Sequence, residues 1–162
     1  MPYIAYAECL NEKYRRAGFP PYRWSTYNES PFAGLNKPLK EARVSLISSA
    51  GIFLDGQEPF DPWALNDLSF RIVPKDTSLE KLRLHHNYFD HRDALRDLNC
   101  VFPIQRMRDL ERSGGIAEMS SSAITLGMGR LYRRTALQQQ TAPQIVKVLR
   151  RENADAALLV AA

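Results

Sequence analysis

All three histidines of this 162-residue chain fall within one short string, His85-His86-Asn87-Tyr88-Phe89-Asp90-His91. Imidazole changes charge near neutral pH and can donate a proton, accept one or bind a metal. The residues just before, Leu82-Arg83-Leu84, alternate as a strand that runs into His85 and His86. The cluster is therefore expected at a strand's carboxyl end, where open α/β sheets gather their ligands. Two readings stand side by side. In one, Asp90 caps a helix and the imidazoles bond to backbone or water. In the other, His85, His86, Tyr88 and Asp90 line a polar pocket in which an imidazole orients a carboxylate or moves a proton.

From His86 onward the string also comes close to H-x-H-x-D-H, a zinc pattern of metal-dependent hydrolases. Tyr88 stands where the second imidazole should be, and no histidine follows His91 to complete a site. Ser48-Ser49-Ala50-Gly51 offers a second candidate, because small residues let backbone amides approach an anion closely. The alternative there is a tight exit from a strand. Gly127-Met128-Gly129 before Arg130 is open to the same two readings, with the arginine as a carboxylate partner. Neither glycine string is a phosphate-binding loop or a dinucleotide fingerprint. Ser120, Ser121 and Ser122 have no evident His–Asp partnership.

These residues need elements to hold them. Apolar spacing at Ile4, Ala7, Leu10 and Tyr14 predicts a helix from Tyr3 to Arg16, before Gly18. Phe19-Pro20-Pro21-Tyr22-Arg23-Trp24 and the residues on to Pro38 read as an arm, since proline lacks an amide donor and suits no central strand. Residues 1–40 thus form an arm wrapping the core or a partner, and residues 41–162 an α/β domain. Val44–Ser48, Phe70–Val73, Leu82–His86 and Ile116–Met119 are expected strands. A helix opens at Pro103 and closes at Gly114, with Ile104, Met107 and Leu110 inward. Thr141 and Gln144 match a capping box for a helix that runs to Asn153 and buries Ile145, Val146 and Leu149. Ala156–Ala162 reads as a buried strand. The alternation predicts a Rossmann-like, three-layer, mostly parallel sheet.

Composition sets outer limits. The chain is 44% hydrophobic and 25% charged with a net charge of +4, which is ordinary for a globular domain. Its basic residues are too dispersed for a nucleic-acid footprint. Two cysteines, Cys9 and Cys100, exclude a disulfide scaffold and suit reduced thiols. No secretory leader or bilayer-length apolar run is visible, so a cytoplasmic protein without membrane or nucleic-acid partners is expected.

Several strings taken together resemble the selenoprotein B family of the glycine, sarcosine, betaine and D-proline reductases. They are Val44-Ser45-Leu46-Ile47-Ser48-Ser49-Ala50-Gly51, Asp67-Leu68-Ser69-Phe70-Arg71, His86-Asn87-Tyr88-Phe89-Asp90, Asp97-Leu98-Asn99-Cys100-Val101-Phe102-Pro103 and Asp155-Ala156-Ala157-Leu158-Leu159-Val160. The likeness runs from about Arg43 to the last residue. Many relatives carry a second histidine where this chain has Tyr88, and another within the segment that here reads Ser122–Gly127. The resemblance implies reductive C–N cleavage of a small amino acid, with a dithiol, such as that of a thioredoxin-like protein, as electron donor. It implies other reductase subunits as partners and a pyruvoyl group, where one is used, on a partner chain. It places His85, His86, Tyr88, Asp90, Ser49, Gly51 and Asn99 around the substrate, with no cofactor on this chain. In the family, the strand resembling Ala156–Ala162 leads into a redox-active cysteine or selenocysteine. The nucleophile is therefore expected after Ala162, with the sheet incomplete at that end. A non-catalytic α/β binding or scaffold subunit and a metal-dependent hydrolase are the alternatives.

Overall fold

The computed structural model describes residues 5–22, 26–29, 33–127 and 133–162. The expectations for Tyr3, Ile4, Arg23, Trp24, Met128, Gly129 and Arg130 lie outside the described residues. The chain divides into two compact units, Met1–Gly34 and Leu35–Ala162.

In the first unit, helix α1 (Tyr6–Arg16) buries none of its residues. The chain then turns at Gly18 and brings Phe19 and Tyr22 onto Tyr14, with ring centroids 6.0 and 5.9 Å away. The Tyr22 amide donates to Asn11 Oδ1 at 3.0 Å. Glu12 accepts from both Arg15 and Arg16 along the solvent face.

The second unit is an α/β layer structure. Its strands are β1 (Arg43–Ser48), β2 (Ile52–Leu54), β3 (Phe70–Pro74), β4 (Leu82–Leu84), β5 (Glu118–Met119), β6 (Ser122–Leu126) and β7 (Ala156–Val160). Its helices are α2 (Arg92–Arg96), α3 (Ile104–Arg112), α4 (Arg134–Ala136) and α5 (Ala142–Arg151). In the main sheet β1 is central. It pairs in parallel with β7 on one side and with β5 and then β6 on the other. β3 adds to β6 in the antiparallel sense, and β2 and β4 make a separate antiparallel pair. The main sheet is thus mostly parallel, as expected, but mixed, because β3 runs against the rest. No helix separates β2 from β3, so nothing turns the chain through a crossover before it reaches the sheet edge.

Both faces of β1 are covered, which is why its residues read as one apolar run. Val44 and Leu46 join Phe102 and the α3 residues Ile104 and Met107 in one core cluster. Ile47 and Ile124 meet Ile145 and Val148 of α5 in another. Leu110 and Val146, expected inside, are exposed, because each sits one helical step off the stripe that its neighbours bury. Buried hydroxyls stitch the layers together. Ser45 Oγ donates to Ser120 Oγ, Ser48 Oγ donates to the Val101 carbonyl at 2.6 Å, and Thr125 Oγ1 accepts from the Ile52 amide at 3.0 Å.

Two further expectations are overturned. Thr141 does not cap a helix. Helical structure runs from Arg134 through a wide π turn at Leu137–Thr141 into α5, and the Thr141 hydroxyl donates to the Leu68 carbonyl at 2.7 Å. The π turn precedes Pro143, which has no amide to continue the regular ladder. β7 is not a buried strand. It lies at the sheet edge, with Leu158 41% and Leu159 73% exposed. Among the described residues no helix is long and apolar enough to cross a membrane.

Gly114 and Gly51 both hold positive φ, at +73° and +66°, yet their surroundings differ. A methyl group on Gly114 would meet nothing within 4 Å, whereas on Gly51 it would lie 2.2 Å from the His85 carbonyl oxygen. Gly114→Ala should therefore cost about 1–2 kcal/mol, the left-handed penalty alone. Gly51→Ala should cost roughly twice that or more, because backbone must also move. Urea unfolding of the two variants measures the difference, and equal losses would contradict it.

Candidate functional site

Strands β1, β6 and β7 run parallel, so their carboxyl ends share one edge. Ser49 and Gly51 leave β1 there, and Gly127 leaves β6. The Ser49 amide donates to the Val160 carbonyl, and its hydroxyl oxygen accepts from the Ala162 amide at 3.1 Å. The Gly51 amide donates to the Leu126 carbonyl, while the His85 amide donates to the Gly51 carbonyl, both at 3.0 Å. This last bond carries the histidine string onto the edge, since β4 ends one residue earlier.

The two adjacent histidines have opposite chemistry. His85 is exposed, and its Nδ1 lies 3.1 Å from the Phe60 carbonyl. A carbonyl only accepts, so Nδ1 carries a proton. The Phe53 ring stands edge-on at 4.9 Å and fixes the plane of the imidazole. His86 is buried, and its Nδ1 accepts from the Tyr88 amide at 3.1 Å. Its proton is therefore on Nε2, which is buried with no partner among the described residues. A ring held this way has no lone pair left at Nε2 for a metal. Among the described residues no group of three or more His, Cys, Asp or Glu is placed to hold a metal ion.

The other candidates separate. Tyr88 packs edge-on against His86 at 5.7 Å and is half exposed. Asp90 turns outward, and the Arg92 guanidinium beside it holds its carboxyl below the usual range. It accepts the Arg92 amide from one position before the cap of α2, which is His91. Asn99 spends its amide on Asp97 and Gln105 at the start of α3. It adjoins the edge through Val101, whose carbonyl takes the Ser48 hydroxyl. His85, Ser49 and Gly51 come together, then, with His86 packed behind them. Tyr88, Asp90 and Asn99 are engaged in local structure.

Sequence reasoning missed three residues on this edge. A methyl group on Gly127 would lie 2.5 Å from a Phe60 ring carbon and 3.0 Å from Asp67 Oδ2, so Phe60 and Asp67 press onto the end of β6. Asp67 Oδ1 accepts from both the amide and the hydroxyl of Ser69. Arg71 lays its guanidinium over the Phe60 ring, 4.4 Å from the centroid. The usable signal was Asp67-Leu68-Ser69, an Asx turn placed just before a strand.

Over residues 28–162 the chain matches the family described as glycine/sarcosine/betaine reductase selenoprotein B (GRDB). The chain belongs to that family. It is 34% identical over 128 residues to the D-proline reductase subunit gamma of Acetoanaerobium sticklandii, a match covering 78% of this chain and 51% of that protein. The chain thus spans about half the length of the curated relative it matches. No solved structure matches it.

In this selenoprotein B family member the buried histidine also sets a pH response. Burial, reinforced by the neighbouring His91, lowers the His86 pKa from 6.5 to about 4. The folded state therefore prefers the neutral ring more than the unfolded chain does. The associated stability is complete above about pH 6.5, declines as the pH falls, and is gone below about 4. The full difference is on the order of 3 kcal/mol. Urea midpoints between pH 7 and 4 should fall more steeply for the native chain than for His86→Gln. Parallel pH curves would refute this origin.

Proposed function

We propose that this chain is a component of a selenoprotein B-type reductase that cleaves the C–N bond of a small amino acid or its N-methylated derivative. Family membership supports the reaction class. The observation that carries the site is the shared edge where Ser49, Gly51 and His85 meet around the β1 exit. Substrate binds at this edge, with His85 facing it and His86 packed behind. Tyr88, Asp90 and Asn99 shape the loops around it.

The chemistry follows from a soft nucleophile. A selenolate or thiolate attacks the carbon that bears the amine, and the C–N electron pair leaves with nitrogen. A thiolate of the dithiol then attacks that selenium or sulfur, the bonding pair to carbon leaves with carbon and takes up a proton to give R–H, and the second thiol closes the disulfide and frees the nucleophile. Overall, R–NH3+ and a dithiol give R–H, ammonium and a disulfide. The family resemblance assigns the nucleophile to a position following the strand that corresponds to β7, not to Cys9 or Cys100. It assigns a thioredoxin-like protein as donor and further reductase subunits as partners, one of them carrying any pyruvoyl group that activates the amine.

Co-expression with the other reductase subunits tests the reading. The assembled complex should release ammonium from glycine or methylamine from sarcosine, or open the D-proline ring, only when dithiothreitol is supplied. A complex that assembles but shows no dithiol-dependent cleavage of any of these would instead make the chain a non-catalytic scaffold subunit.

A further inference from the structure

The end of the main sheet opposite the β1–β6 edge holds a cavity of about 730 Å3, between the turn that follows β3 and one face of α3. The Lys75 amide donates to the Ser121 carbonyl at 2.9 Å, which sets this turn beside the start of β6. Gln105, Arg108 and Arg112 line the cavity from α3, three and four places apart and so on one helical face. Four cations and three carboxylates surround it: Lys75, Arg106, Arg108 and Arg112 against Asp76, Asp109 and Glu111. Two of the carboxylates are already engaged. Asp109 accepts from both Arg106 and Arg112, and Glu111 pairs with Lys75 at 2.9 Å. Asp76 is exposed to water and forms no ion pair among the described residues.

Arg108 is the cation left over. It is half-buried, and its guanidinium donates to the Thr77 carbonyl at 3.3 Å. No carboxylate pairs with it among the described residues. Gln105 gives its Oε1 to Asn99, so its amide N–H donors remain without a partner among the described residues. A half-buried guanidinium without a counter-ion is costly, and its fork of donors matches a carboxylate. We propose that this cavity is a second ligand site, which takes the carboxylate of a small hydrophilic monoanion on Arg108 and Gln105. The charge count sets the class. One cation is uncompensated, so one negative charge neutralises the lining, whereas a dianion would be repelled by the Asp76, Asp109 and Glu111 carboxylates. Apart from Leu79 the described lining is polar, so the rest of the ligand is hydroxylated and not hydrocarbon. A carboxylate held here ties α3 to the turn after β3, which Arg108 already touches through Thr77. The site stands apart from the reductive chemistry proposed for the other end of the sheet.

Side-chain resonances in nuclear magnetic resonance spectra read the site directly, even where affinity is weak. On titration of sodium lactate into the native chain at constant ionic strength, the Arg108 Nε–H and Gln105 amide signals should shift to saturation. Sodium chloride should not move them. Arg108→Lys keeps the charge but loses the fork, and it should weaken lactate binding by about fivefold or more. Gln105→Glu keeps an acceptor for Asn99 and adds a repelling charge, and it should weaken binding at least as much. Arg96→Gln removes a charge from exposed surface elsewhere and should change nothing. Near-ultraviolet circular dichroism checks that each variant is folded. Should one variant not fold, the other and the ranking of lactate over phosphate in the native chain decide. No saturable shift, an equal response to chloride, unaltered binding in a folded variant of Arg108 or Gln105, or phosphate bound more tightly than lactate overturns the proposal.

Discussion

The close passage of the His85 backbone over Gly51 holds the carboxyl-end edge of β1 and β6 together. With no side chain at Gly51, the β4 exit can lie directly on the β1 exit, and the His85 amide bonds to the Gly51 carbonyl. The Gly51 amide in turn bonds to the Leu126 carbonyl at the end of β6. One residue thus ties two strands of the main sheet to the small β2–β4 pair. The imidazole of His85 then falls where Phe60 can accept from it, and His86 is drawn inward beneath Phe89. A side chain at position 51 would separate these layers and release both rings together.

This edge is polar above and apolar below, and the hydroxyls of the parallel strands make the transition possible. A central strand covered on both faces has no water to satisfy stray polar groups. Ser48 and Thr125 lie at that boundary, and each spends its oxygen on backbone from the loop above it. The loops that end at Val101 and Ile52 are therefore registered to the sheet by directional bonds as well as by packing. Hydrophobic contact alone fixes position loosely, whereas a buried hydroxyl left unpaired costs more than the bond gains. Errors in loop placement are penalised accordingly, and that precision is what a small-molecule site needs.

Much of this was legible in residue order, and the failures have specific causes. Pro103 and Gly114 bracketed α3 because each acts through its own backbone. β1 and β3 were evident from short apolar runs between turn residues. The reversed direction of β3 was not, since an apolar run reads the same whether its neighbour is parallel or antiparallel. β7 looked buried for a related reason: apolar content reports that a strand is fit to be covered, not that it is. Thr141 carried the right local signal for a cap, but the Leu68 carbonyl offered its hydroxyl a buried partner and the helix continued through it. Leu110 and Val146 erred by a single position around the helix, where periodicity is least decisive. That His85, Ser49 and Gly51 share one edge was legible from their place at strand ends. Asp67 was passed over because its surroundings depend on Phe60, which the fold brings beside it at the end of β6.

The histidine pair shows why adjacency in sequence is a poor guide to role. His85 and His86 point to opposite sides of an extended backbone, as successive residues in a strand do. One side faces solvent and the Phe60 carbonyl; the other faces the core and the Tyr88 amide. Each backbone partner fixes one nitrogen, and so dictates what the other nitrogen can do. A carbonyl makes Nδ1 of His85 a donor, and an amide makes Nδ1 of His86 an acceptor and leaves its Nε2 a donor. Swapping the two partners would reverse both roles without changing a single side chain. The chemistry at this edge is therefore set by the main chain at Phe60 and Tyr88, residues whose own side chains need take no part in it.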